Sequence, residues 1–134
     1  AGAVRRIDWL LRQKPAVLLL ETGANDGLRG QDPESTRANI EAVLDRAQQQ
    51  LLPPRLVLAG MQTLPNYGPL YVRRFRAIYP ELARQYDAAL IPFILEGVAG
   101  VPDLNQADGI HPTAAGHRII AENVWRILQP LLEN

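Results

Sequence analysis

The chain of 134 residues contains no cysteine and a single serine, Ser35. Without cysteine there is no disulfide, no thiolate metal ligand and no cysteine nucleophile, while the redox compartment stays open. Excess charge is absent too: 14 Lys and Arg balance 14 Asp and Glu. No nucleic-acid partner or membrane surface is therefore expected, since either needs a basic patch. The densest basic group, Arg73-Arg74-Phe75-Arg76, reads as a solvated helix face. Long apolar runs are missing as well. Ala16 to Leu20 is among the longest, against the roughly 20 residues that span a bilayer, so no transmembrane segment is expected. No signal-peptide pattern occurs, and the Ala1-Gly2 start without methionine suits a processed or fragmentary chain. Neither a Gly-x-Gly-x-x-Gly nor a Walker-type lysine loop is present, which disfavours a nucleotide-binding α/β domain.

What is there is ordinary globular material, 47% apolar and enough for one domain, or part of one, with a real core. Val4, Ile7, Leu10 and Leu11 share a helical face that Pro15 ends. Ala16 to Leu20 then reads as a strand buried on both faces, central in its sheet. The loop from Thr22 to Gln31 carries Gly23, Gly27 and Gly30. Asp32 suits an N-cap with Pro33 at the first helical position, and Ile40, Val43, Leu44, Ala47 and Leu51 follow at helical spacing. Pro53-Pro54 separate that helix from a strand over Leu56 to Ala59. Val72, Phe75, Tyr79, Leu82 and Tyr86 mark another helix, which Pro80 should kink or split. Ala89 to Ile91 is a third strand, and an irregular stretch from Leu95 to Pro112 leads to a last helix. Ile120, Val124, Ile127, Leu128 and Leu131 form its inner face.

Helices alternating with strands imply parallel pairing through crossovers, hence a three-layer α/β/α domain spanning 1–134 with no internal boundary. Three strands are few for such a sheet, so something is expected to pair with the free side of the first.

His111 is the best candidate for a general base, because an imidazole takes and returns protons near neutral pH. Asp108, three residues earlier in a glycine-containing turn, can fold back to bond Nδ1–H, leaving Nε2 free to face a nucleophile. An ordinary helix-entry loop with an exposed histidine has the same spacing. Asn25 sits just past the carboxyl end of a parallel strand, where open α/β sheets place their sites. Its amide can donate to a developing oxyanion, and Gly23 permits close backbone approach at the strand exit. Asn-Asp-Gly is also a common turn sequence, and Asp26 suits a bond to the loop backbone. Leu64, Pro65 and Tyr67, with the apolar loop holding Leu95 and Val98, can line an acyl or aryl pocket or simply close the upper rim of the core. Ser35 lies in the first turn of a helix with no glycine-rich elbow, so its role is structural. Asp108, His111 and His117 lack metal-ligand spacing, and no metal is expected.

Thr22-Gly23-Ala24-Asn25-Asp26-Gly27-Leu28-Arg29-Gly30 resembles the oxyanion-asparagine block of the SGNH (GDSL-type) esterases and lipases. It is most similar to the bacterial arylesterase, thioesterase and lysophospholipase subgroup. Leu64-Pro65-Asn66-Tyr67-Gly68, Ile78-Tyr79-Pro80 and Leu104-Asn105-Gln106-Ala107-Asp108-Gly109-Ile110-His111-Pro112 are similar to further segments of that subgroup, in the same order. The resemblance implies a flavodoxin-like sheet of five parallel strands, of which this chain carries about three. It matches Asn25 to the oxyanion asparagine, Asp108 to the triad aspartate and His111 to the triad histidine. The Gly-Asp-Ser-Leu nucleophile block, and the glycine that completes the oxyanion hole, have no counterparts here.

The resemblance thus implies the C-terminal part of a cofactor-free serine esterase acting on aryl esters, thioesters or lysophospholipids. Its N-terminal strand-helix-strand portion, with the serine, would come from another segment as a partner. A soluble, periplasmic or secreted protein is the expected setting. A non-catalytic pseudo-hydrolase or ligand-binding α/β module is the alternative, and an upstream Gly-Asp-Ser would separate the two.

Overall fold

The computed structural model describes residues 2–133. It divides after Pro92 into two compact units, a division that no shift in composition announces.

In the first unit, α1 spans Gly2–Leu11 and buries Ile7 and Leu11. Strand β1, Val17–Glu21, pairs in parallel with β2, Arg55–Ala59, with Val17 opposite Arg55 and Glu21 opposite Ala59. Strand β3, Ala89–Ile91, pairs in parallel with the other edge of β2, giving the order β1-β2-β3. A short helix α2, Ala24–Leu28, interrupts what reads as a loop in the sequence. Helix α3, Pro33–Gln48, begins as expected: Asp32 Oδ1 accepts from the Glu34 backbone N–H at 3.2 Å and Pro33 opens the first turn. Its apolar face buries Ile40, Val43, Leu44 and Ala47, but Leu51 lies beyond its end and is fully exposed.

Helix α4, Pro69–Gln85, packs against α3, β2 and β3. Phe75, Ile78, Tyr79 and Leu82 are buried, whereas Arg73, Arg74 and Arg76 face outward. Pro80 does not split the helix, which runs unbroken to Gln85. Proline removes the bond to the carbonyl four residues back, here Arg76. Both residues are exposed.

Strand β1 departs from the expectation of burial on both faces. Val17, Leu18 and Leu19 are half-buried and only Leu20 is buried, whereas four of the five residues of β2 are buried. The cause is position. Strand β2 has a neighbour on each side, and β1 has one among the described residues.

The second unit, from Phe93 onward, contains turns, a 3-10 turn at Pro102–Leu104 and helix α5, Ala114–Leu132. The Thr113 side chain caps α5 by accepting from the Gly116 N–H at 3.3 Å. Ile120, Val124, Ile127, Leu128 and Leu131 do share a face, but each is only half-buried.

Burial pushes the Tyr79 phenol far above its usual range. Tyr86 is raised as well, by desolvation and by its 2.6 Å hydrogen bond to Asp45 Oδ1. A raised folded pKa means that the neutral phenol's contribution is complete below the unfolded value of about 10 and is lost as pH rises through the folded value. In an ultraviolet titration of tyrosinate, two of the four tyrosines should therefore ionise only together with loss of circular dichroism. Four independent ionisations near pH 10 in a folded chain would contradict this packing.

Candidate active site

The backbone leaves β1 at Glu21 and turns at Gly23, whose φ of +101° lies in the region that favours glycine. Helix α2 follows at once. Asn25 stands in its first turn, exposed, at the carboxyl end of the parallel strand. Its backbone carbonyl accepts the Arg29 N–H at 3.1 Å, while the side-chain amide has no partner among the described residues. Asp26 does not bond the loop backbone as the sequence suggests. Its Oδ2 instead accepts from the buried Thr36 hydroxyl at 3.2 Å, fastening α2 to α3. A carboxylate in a five-residue helix is close to a neighbouring helix, and the buried hydroxyl needs an acceptor.

In the second unit, residues 105–112 form a closed loop. An antiparallel bridge joins Asn105 to Pro112, and the Gln106 N–H donates to the His111 carbonyl at 2.7 Å. Gly109, at φ +70°, lets the chain turn tightly enough for Asp108 to meet His111. Asp108 Oδ1 accepts two backbone N–H groups, Ile110 at 2.9 Å and His111 at 3.0 Å. Asp108 Oδ2 lies 2.6 Å from His111 Nδ1. The His111 N–H, the imidazole and the Ile110 N–H together hold the Asp108 carboxyl well below the usual carboxylate range.

An ionised carboxylate only accepts, so Nδ1 must carry the hydrogen and a neutral ring presents its lone pair at Nε2. With 71% of the side chain exposed, His111 is open to a reacting group. Spacing alone leaves room for an unpaired histidine. The structure instead shows an oriented imidazole.

The pocket candidates fare unevenly. Leu64, Pro65 and Tyr67 are exposed on the turn after β2. The Tyr67 ring, however, lies against Gly30 and its hydroxyl donates to the Leu28 carbonyl at 3.1 Å. Leu95 is half-buried. Val98 is wholly buried and cannot line an open pocket. Its carbonyl accepts the Asn105 amide at 2.7 Å. Ser35 is exposed in the first turn of α3, and His117 is exposed on α5. Among the described residues no group of three His, Cys, Asp or Glu side chains is placed to hold a metal ion.

The sequence reading missed Thr36, Tyr71 and Tyr79 as supports of the Asn25 segment. Tyr71 and Tyr79 occur at a spacing of eight, on one helical face with Phe75 between them, and that pattern reads simply as core.

Known proteins supply the remaining comparison. The sequence model of the GDSL-like lipase/acylhydrolase family matches residues 1–119. Esterase TesA of Pseudomonas aeruginosa is 44% identical over 98% of this chain and 65% of its own length. Thioesterase 1/protease 1/lysophospholipase L1 of Escherichia coli is 38% identical over 96% of this chain and 62% of its own length. The chain thus spans less than two thirds of either relative. A crystal structure of the psychrotrophic esterase EstA from Pseudoalteromonas sp., inhibited by monoethylphosphonate, superposes with a TM-score of 0.89. It is 33% identical and covers 99% of this chain and 72% of that one. Its sheet-and-helix order, its family match and these relatives agree: the chain belongs to the GDSL-like lipase/acylhydrolase family of SGNH hydrolases.

Proposed function

We propose that these residues form the base-bearing and oxyanion-donating part of a serine esterase. The Asp108–His111 pair carries the proposal: a carboxylate held ionised fixes the tautomer that a general base requires. A serine hydroxyl attacks the acyl carbonyl while His111 Nε2 takes its proton. The Asn25 amide donates to the oxygen that becomes negative. Collapse of the tetrahedral intermediate breaks the bond to the alcohol or thiol, which leaves with the proton from Nε2. Water then attacks the acyl-enzyme by the same route and releases the acid. No step requires a cofactor.

Aryl esters, thioesters and lysophospholipids are the proposed substrates, in keeping with the names of the relatives. Leu64, Pro65 and Leu95 are the apolar groups offered to them. The nucleophile is assigned to a further segment that pairs with β1, as the half-buried residues of that strand suggest. Ser35, on an exposed helix face, is not suited to the part. A periplasmic or secreted setting is proposed from the family resemblance alone. No described helix is long and apolar enough to cross a membrane.

The purified 134-residue chain is expected to show no turnover of p-nitrophenyl butyrate. A protein that joins it to a serine-bearing strand segment should show turnover. Activity that follows the mass of this chain alone would overturn the assignment of the nucleophile.

In the active protein His111→Ala should lower kcat by about 10⁴-fold or more with the fold intact. Asp108→Asn should cost a similar factor through the wrong tautomer, and His117→Ala should be nearly silent. Asn25→Ala should lower kcat about 10²–10³-fold with KM within a few-fold. A normal kcat in Asn25→Ala beside a large fall in Tm would make Asn25 a turn residue only. Asp108 adds a pH signature. Because its folded pKa is depressed, the stability that the Asp108 carboxylate draws from its three hydrogen bonds is fully present above the unfolded value of about 3.9 and is lost only as pH falls through the folded value. The kcat/KM profile should therefore carry no Asp108 inflection between about pH 4 and 9, and carboxyl carbon NMR should show Asp108 ionised throughout that range.

A further inference from the structure

Four aromatic side chains run in single file along one edge of the first unit. Tyr67 precedes α4, and Tyr71, Phe75 and Tyr79 follow at successive steps of four residues. Their ring centroids are 5.2, 6.1 and 5.9 Å apart. Neighbours at this spacing share a helix face, and offset or tilted rings at such distances attract one another.

The opposing segment is residues 22–31, the one that holds Asn25. Three of its backbone carbonyls accept from the file: Thr22 from Tyr79 at 2.9 Å, Leu28 from Tyr67 at 3.1 Å and Gln31 from Tyr71 at 2.8 Å. The glycines of the segment fall where the rings approach. A Cβ at Gly23 would run into the Tyr79 hydroxyl, and one at Gly27 would meet Thr63 Cγ2 at 2.5 Å and then Phe75 Cζ at 3.2 Å. One at Gly30 would lie 2.5 Å from Tyr67 Cε1. Rings and glycines therefore interlock in antiparallel order, with hydroxyls closing the gaps to the carbonyls. Packing of this kind needs no hydroxyl at three of its four rungs, yet three of the four carry one and each reaches the same segment.

We infer that this aromatic file is a positioning device for Asn25, setting where its amide stands when the oxyanion forms. The inference rests on the oxyanion role proposed above for Asn25. Tyr67, Tyr71 and Tyr79 act through the segment, as positioning residues, and touch no reacting atom. Asn25 lies on a helix of only five residues, too short to be rigid by itself. Its placement depends on what grips both ends, and the file grips at Thr22 before the helix and at Leu28 and Gln31 at and after its end. A displacement of about 1 Å at such a donor is enough to cost 10²-fold in rate. Burial raises the Tyr71 and Tyr79 phenols above their ordinary range, so both remain donors throughout the pH range of ester hydrolysis.

The test is the double variant Tyr67→Phe/Tyr71→Phe in the active protein, which keeps both rings and removes two of the three grips. Amide hydrogen exchange of residues 24–31 should quicken by about tenfold, reporting local opening. The kcat for p-nitrophenyl butyrate should fall about five- to tenfold with KM within about twofold, since only a transition-state contact is disturbed. Restoring either tyrosine should recover part of both. Tyr86→Phe is the control: it loses a hydrogen bond to Asp45, outside the Asn25 segment, and should lower Tm without changing kcat. Unchanged exchange in the double variant overturns the inference. So does unchanged kcat when Asn25→Ala in the same protein is strongly impaired. If Asn25→Ala is itself silent, the oxyanion reading has failed, and the positioning role proposed for the aromatic file fails with it.

Discussion

Parallel pairing of β1 with β2 is the constraint from which the rest of the first unit follows. Parallel neighbours must be joined by crossovers, and here α2 and α3 form one, while α4 forms the next between β2 and β3. Parallel strands also end on the same side, so the segment leaving β1 and the segment leaving β2 emerge side by side. Residues 22–31 and the turn at Pro65–Tyr67 are those two segments. Tyr67 can therefore reach Leu28 and Gly30 although 37 or more positions separate them in sequence. An antiparallel pair would have sent the two exits to opposite ends, and Asn25 would have lost its aromatic support.

The second unit solves a smaller problem with local means. Asp108 receives three donors, all from the three residues that follow it. Two are backbone N–H groups that fix the carboxylate before the imidazole is considered, and their effect on its charge does not depend on burial. That matters because Asp108 and His111 are both largely exposed. Orientation in a wet site cannot rely on a low dielectric. It relies instead on a short loop with a glycine at positive φ and a bridge that closes its ends.

This contrast explains what the sequence made legible. Asp108 and His111 interact across three residues, so spacing and turn chemistry suffice to pair them on paper. The N-cap at Asp32, the three strands and the buried face of α3 are equally local, and they lie where the sequence puts them. Misreadings occur where a partner far along the chain decides. Asp26 was expected to bond its own loop, and a hydroxyl ten residues on takes it. Val98 was read as lining a pocket or closing the rim of the core, and its full burial fits the second. Strand β1 reads as central from its composition, yet half-burial follows from having one neighbour among the described residues. Pro80 was expected to kink or split α4, and the helix runs through it to Gln85 without a break. The aromatic file was invisible for the same reason. Phe75 and Tyr79 were read as part of a helix face, Tyr67 as a loop residue and Tyr71 not at all, and nothing in the spacing names the carbonyls that the hydroxyls would meet.

The two halves of the proposed machinery therefore differ in what can perturb them. The acid–base pair depends on one loop, so substitutions elsewhere in the chain have few ways to disturb it. The Asn25 amide depends on α2, on Thr36 at the start of α3 and on four rings borne by α4 and the turn before it. A change in any of these that leaves the core intact can still move a donor. Oxyanion stabilisation depends on donors that are already in place when charge develops. The segment bearing Asn25 is thus held by residues distant in sequence, and the His111 imidazole by those of its own loop.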